Sequence, residues 1–117
     1  MTEITIYHNT ACSTSRKTLD LLRAHGVTPR VVEYLKTPPD RATLTAILAG
    51  LGMRPSQLLR RKGGKAAELG LDRPETTEED ILAAMLAHPV LMERPVVVTA
   101  KGARIGRPPE AVLELLG

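Results

Sequence analysis

The sequence predicts an α/β fold: a strand–helix–strand unit, a helical insertion at about 40–88 and a strand–strand–helix unit, sharing a mixed four-stranded sheet in one domain over residues 1–117. Three observations predict it. Two short β-branched runs flank a stretch of helical periodicity within the first ~35 residues, the size of a right-handed βαβ unit with parallel strands. Val96-Val97-Val98 is an unbroken apolar run, as in a strand buried on both sides. Between these halves Leu44, Ile47, Leu48 and Leu51 recur at i, i+3, i+4 and i+7, a helix with one buried stripe.

Residues 3–7 alternate and read as the first strand. From Ser13 to His25 the residues Leu19, Leu21 and Leu22 suit a helix, with Gly26 as its C-terminal stop. Val31, Val32 and Tyr34 form a second strand, and Thr37-Pro38-Pro39-Asp40 is a break whose prolines start the next element. The helix over 44–51 ends among Gly50 and Gly52. Pro55 to Leu59 makes a short helical turn, and the basic stretch Arg60 to Lys65 follows. Thr77-Glu78-Glu79-Asp80 resembles a capping box for a helix that buries Ile81, Leu82, Met85 and Leu86 and stops at His88-Pro89. Lys101-Gly102 turns the Val96–Val98 strand back through Ala103 to Ile105 as a hairpin. Pro108-Pro109-Glu110 opens a last helix using Val112, Leu115 and Leu116. This order is the thioredoxin-like arrangement with helices inserted between its halves. Pro95 stands where that fold holds a cis-proline facing the active cysteine.

Composition narrows the function. The chain has no Phe or Trp and two Tyr, which argues against nucleic-acid binding by base stacking and requires an aliphatic core. The net charge is +3, and eleven of the sixteen cations are Arg, the better fork for oxyanions. No signal peptide is visible and no apolar run is long enough to span a membrane, so no membrane association is expected. One cysteine without export features fits the cytoplasm. That cysteine cannot form an internal disulfide, so any redox cycle at Cys12 needs an outside thiol.

Cys12 lies between the first strand and a helix beginning near Ser13 or Thr14. A thiol there faces unpaired backbone N–H groups and the positive end of the helix dipole, both of which favour the thiolate. The same N–H groups favour a bound oxyanion. His8 lies four residues earlier, where an imidazolium near the sulfur would stabilise a thiolate; the alternative is a strand-end histidine bonded to backbone. His25 and His88 read as structural residues at helix C-termini, and the spacing of the histidines and cysteine predicts no metal site. A cysteine-phosphatase loop would place Arg at position 18, which is Thr18. A dithiol loop would place Cys at position 15, which is Ser15, whose hydroxyl could donate to the sulfur. Arg60, Arg94 and Arg107 each read singly as surface residues; in the predicted fold their segments converge on one thiol.

These pieces together resemble the glutathione- and glutaredoxin-dependent arsenate reductases of the thioredoxin-like superfamily. The resemblance is carried by Ile4–Asn9 with Ala11–Arg16, by Tyr34–Pro39, by Leu58-Leu59-Arg60, by His88–Leu91 through Arg94–Val98, and by Gly106-Arg107-Pro108. Thr10 stands where many relatives have Pro, Ser13 where some have Gly, and the sequence stops at Gly117 where many continue. The resemblance implies that Cys12 is the nucleophile that attacks arsenate and forms a thioarsenate adduct. It also implies that Arg60, Arg94 and Arg107 bind the oxyanion, and that His8 and Ser15 support the cysteine. Arsenate, glutathione as co-substrate and a glutaredoxin would be the partners, with no tightly bound cofactor. Two other functions remain open: an arsenate-independent, glutathione-linked thiol oxidoreductase, and a regulator contacting RNA polymerase. Redox-sensing relatives of the latter kind use a second thiol where this chain has Ser15.

Overall fold

The computed structural model describes residues 3–116; residues 1, 2 and 117 of the predicted domain lie outside the described residues. The chain falls into two compact units, one formed by Met1–Thr37 with Arg94–Gly117 and the other by Pro38–Glu93. The helical segment expected at about 40–88 lies inside the second unit.

The first unit carries the sheet. Its strands are β1 (Thr5–His8), β2 (Arg30–Glu33), β3 (Val96–Thr99) and β4 (Gly102–Ile105), in the spatial order β2-β1-β3-β4. The β1–β2 pair is parallel, with Ile6 opposite Val31. The β1–β3 and β3–β4 pairs are antiparallel, Ile6 facing Val97 and Val97 facing Arg104, so the sheet is mixed. Helix α1 (Ser13–Ala24) joins the parallel pair and buries Ser15, Thr18, Leu19 and Leu22, an i, i+3, i+4, i+7 face that begins with two polar residues. It closes at Gly26, whose φ of +78° lets Val27 N–H reach the Leu22 carbonyl and Gly26 N–H reach Arg23. His25 Nδ1 lies 3.0 Å from the Leu21 carbonyl oxygen, a structural contact at that helix end.

The core of this unit is aliphatic: Ile6, Leu19, Leu22, Val97, Val112 and Leu115, with Ile4, Val27 and Leu116 packed against it. Each such side chain contributes about 1.5–3 kcal/mol when removed from water. Tyr34, just past β2, is also buried. The segment expected as a last helix is a 3-10 helix over Pro109–Leu115. Its buried residues Val112 and Leu115 are three apart, the spacing that aligns side chains at three residues per turn. Gly106 fixes how closely the hairpin approaches α1: a Cβ there would stand 2.6 Å from Thr18 Oγ1 and 2.8 Å from Pro95 Cγ.

The second unit is helical. Helix α2 (Arg41–Leu51) starts one residue after Asp40, whose carboxylate accepts the Thr43 N–H at 2.8 Å, so the prolines precede its cap instead of opening it. Short α3 (Pro55–Leu58) and α4 (Lys65–Glu68) follow; α4 begins at Lys65, the last residue of the basic stretch. In α5 (Glu78–Ala87), Thr77 Oγ1 accepts from Asp80 N–H and Asp80 Oδ2 accepts from Thr77 N–H, both at 3.1 Å, the reciprocal box its sequence predicts. His88 ends α5 and precedes a 3-10 turn, Pro89–Leu91. Among the described residues no helix is long and apolar enough to cross a membrane.

Candidate active site

Cys12 is the N-cap of α1, with extended backbone (φ −94°, ψ 120°), and is partly exposed. Hydrogen bonds within the loop place it there. Asn9 Oδ1 accepts the Ala11 N–H at 3.0 Å, and the Asn9 carbonyl accepts the Cys12 N–H at 3.0 Å. The Cys12 carbonyl accepts from Arg16 N–H at 3.0 Å, while Arg16 Nη1 reaches back to the Thr10 carbonyl at 2.7 Å. The chain thus leaves β1, makes one side-chain-closed turn and enters α1 with its sulfur at the helix N-terminus.

Burial alone would raise the pKa of that thiol. Backbone N–H bonding from Ser15, the Arg94 side chain, the Arg107 charge and the Thr14 N–H act the other way and prevail, so the thiol sits below its ordinary value. Arg107 Nη2 lies 3.6 Å from Sγ. The two arginines flank the hairpin: Arg94 precedes cis-Pro95 at the start of β3, and Arg107 precedes cis-Pro108 just beyond β4. Arg107 Nε donates to the Arg94 carbonyl at 2.8 Å, and Gly106 N–H donates to the Pro95 carbonyl at 2.9 Å, so hairpin hydrogen bonds bring both guanidinium groups to one sulfur.

His8 and Ser15 are buried behind the loop. His8 Nδ1 and Ser15 Oγ are 2.6 Å apart, and Ser15 Oγ also accepts the Asn9 N–H at 3.1 Å. Burial lowers the His8 pKa; Glu33 opposes this, and Arg23 and Arg16 reinforce it. Of the two alternatives the sequence leaves open, an imidazolium near the sulfur and a ring bonded to backbone, the structure shows neither: the ring bonds to a serine hydroxyl, and desolvation disfavours its charged form. Ser15 also differs from expectation: its backbone N–H acts on the sulfur, and its hydroxyl is engaged by His8 and Asn9. The sequence motif includes Asn9 without giving it a role, although an Asx residue three before the cap is the signal of one, and it does not single out the Thr14 N–H, which any residue but proline would supply.

Arg60 lies in the second unit. Its N–H donates to the Leu91 carbonyl at 2.6 Å and its Nη1 to Glu93 Oε1 at 3.1 Å. An antiparallel bridge between Leu59 and Met92 sets these two residues side by side.

The arrangement in the first unit suits one kind of chemistry. An acidified thiolate can attack an electrophilic centre whose oxygens carry negative charge, because fixed donors already surround the attacking atom.

A sequence model described as the ArsC family matches residues 7–115. The chain is 52% identical to the arsenate reductase of Rhizobium meliloti, over 97% of this chain and 81% of that one. It is 51% identical to the uncharacterized protein YfgD of Escherichia coli, over 98% of each. Among solved structures, the arsenate reductase from Vibrio cholerae superposes with a TM-score of 0.92 at 42% identity, covering 96% of both chains.

Proposed function

The chain belongs to the ArsC family, and on that premise we propose that it is an arsenate reductase with Cys12 as its nucleophile. One observation carries the reading: the sulfur of Cys12 stands at the N-terminus of α1 with Arg107 Nη2 3.6 Å away, where the Ser15 N–H, the Arg94 side chain, the Arg107 charge and the Thr14 N–H lower the pKa of the thiol. The Cys12 thiolate attacks arsenic and a sulfur–arsenic bond forms as one arsenic–oxygen bond breaks, the leaving oxygen departing as water after protonation. The adduct concentrates negative charge on its oxygens, and preorganised donors stabilise such charge without reorganising. In this reading Arg94 and Arg107 supply those donors, and the family resemblance adds Arg60 as a third oxyanion-binding residue.

Reduction of arsenate to arsenite takes two electrons, and a chain with one cysteine supplies half of a disulfide. Glutathione provides the other thiol. Its thiolate attacks the Cys12 sulfur, the sulfur–arsenic bond breaks with its electron pair staying on arsenic, and arsenite leaves. A glutaredoxin thiolate then takes the glutathionyl group and restores Cys12. The cytoplasmic location belongs to the same proposal, since glutathione and glutaredoxin must be at hand. His8 and Ser15 support the nucleophile by holding the first turn of α1.

The test is arsenate-dependent oxidation of NADPH in an assay coupled through glutathione, glutathione reductase and glutaredoxin. Wild-type protein is expected to support it and Cys12→Ser to abolish it. Full activity in Cys12→Ser, or turnover of a glutathione mixed disulfide with no response to arsenate, overturns the reading.

A further inference from the structure

The loop from Asn9 to Cys12 has no apolar anchor. Thr10 and Ala11 are exposed, and Asn9 and Cys12 are only partly buried. Hydrophobic burial therefore cannot be what fixes the nucleophile, and the loop's hydrogen bonds must do it. Three of them belong to Asn9: its N–H donates to Ser15 Oγ at 3.1 Å, its carbonyl accepts Cys12 N–H at 3.0 Å and its Oδ1 accepts Ala11 N–H at 3.0 Å.

We propose that Asn9 is a positioning residue for the nucleophile, its carboxamide closing the turn that presents the Cys12 sulfur at the N-terminus of α1. For its effect on turnover the inference rests on the function proposed above. The side chain matters because the two backbone bonds of Asn9 are available to any residue but depend on the turn being closed. A carboxamide oxygen accepting from the N–H two residues on mimics one more residue of backbone turn and limits the unclosed conformations open to the loop. Without it the Ala11 N–H turns to water and the bond from Cys12 N–H loses its preset geometry. These three bonds run to Ala11, to the Cys12 backbone and to Ser15, and none of them ends on the sulfur or on an arginine, so Asn9 acts through the loop.

The experiment measures the rate of Cys12 alkylation by iodoacetamide against pH in Asn9→Ala, Asn9→Ser and wild type, with folding checked by circular dichroism. Asn9→Ala is expected to raise the midpoint by about one pH unit, a tenfold loss of thiolate below it, and to lower kcat/KM for arsenate in parallel. Asn9→Ser keeps a shorter acceptor for the same N–H and is expected to fall between the two. A folded Asn9→Ala with the wild-type midpoint overturns the inference. Should Asn9→Ala fail to fold, a wild-type midpoint in Asn9→Ser overturns it equally. Alkylation needs no arsenate. A wild-type protein that reduces no arsenate yet loses thiol acidity in Asn9→Ala would sink the proposed function and leave this inference standing.

Discussion

Arg107 holds Arg94 by its backbone: Arg107 Nε donates to the Arg94 carbonyl at 2.8 Å while Nη2 of the same guanidinium faces the Cys12 sulfur at 3.6 Å. One side chain therefore joins the two ends of the β3–β4 hairpin and reaches the nucleophile proposed above. The rigid fork of guanidinium makes this double use possible, since two donors separated by a fixed angle can serve two acceptors.

Arg107→Lys tests that use. Lysine retains the charge but presents a single ammonium on a flexible stem, so it can satisfy the carbonyl or the sulfur and not both. Loss of one charge-assisted hydrogen bond corresponds to about 1.5–3 kcal/mol, and kcat/KM for arsenate is expected to fall roughly ten- to a hundredfold by the usual conversion. Arg107→Ala should fall further. Steady-state kinetics in the coupled assay checks both, and a lysine variant as active as wild type would show that charge alone suffices.

The thiol of Cys12 is acidified, so its alkylation rate should rise at lower pH than that of a free cysteine, whose pKa is about 8.5. The same shift links to stability. A folded pKa below the unfolded one gives stability that is complete above the unfolded value and is lost as pH falls through the folded value. Relative to Cys12→Ser, the wild-type protein should therefore gain stability as pH rises toward about 8.5 and hold that gain at higher pH. Urea unfolding of both proteins across that interval measures it.

His8 has the opposite dependence on its charged form. Burial lowers its pKa, so the unfolded chain binds the proton more readily and stability is lost as pH falls below the ordinary histidine value of about 6.5. His8→Gln retains a polar contact for Ser15 and removes the titration. Its stability should be flatter than wild type between about pH 5 and 7. Its Cys12 midpoint should remain below the free-thiol value, because His8 bonds to Ser15 and its charge is absent near neutrality. A midpoint at the free-thiol value would return His8 to the part of a cationic partner.

Thr77→Ala addresses the second unit. It removes the acceptor for Asp80 N–H at the start of α5 and leaves that helix end to water. A loss of about 1 kcal/mol is expected, read as a lower urea midpoint with an unchanged slope. No change would mean that the reciprocal bond, donated by Thr77 N–H to the Asp80 carboxylate, holds the end alone.

Much of this architecture is legible in the residues because it is set locally. The β-branched runs, the Thr77 cap and the Lys101-Gly102 turn each carry their own signal within a few positions, whereas the prolines before Asp40 mask its cap. Cys12 at the head of α1 is readable for the same reason. The 3-10 form of Pro109–Leu115 is not, since apolar residues three apart satisfy a period of 3.0 and one of 3.6 alike. The partners of His8 and Ser15 are hidden too. Which donor meets which acceptor depends on how deep the β1–α1 corner is buried, and that is a property of the closed sheet. The bond from Arg107 to Arg94 spans thirteen residues and exists only once the hairpin has formed. Arg60 carries no local mark; its pairing with Glu93 comes from the bridge between Leu59 and Met92.

An interior built without tryptophan or phenylalanine makes this protein optically quiet. Its near-ultraviolet signal comes from Tyr7 and from Tyr34, which is almost wholly enclosed and so reports on the tightness of its surroundings. With one thiol in the chain and no indole to obscure it, ionisation of that sulfur can be followed directly by absorbance, without a label and without substrate.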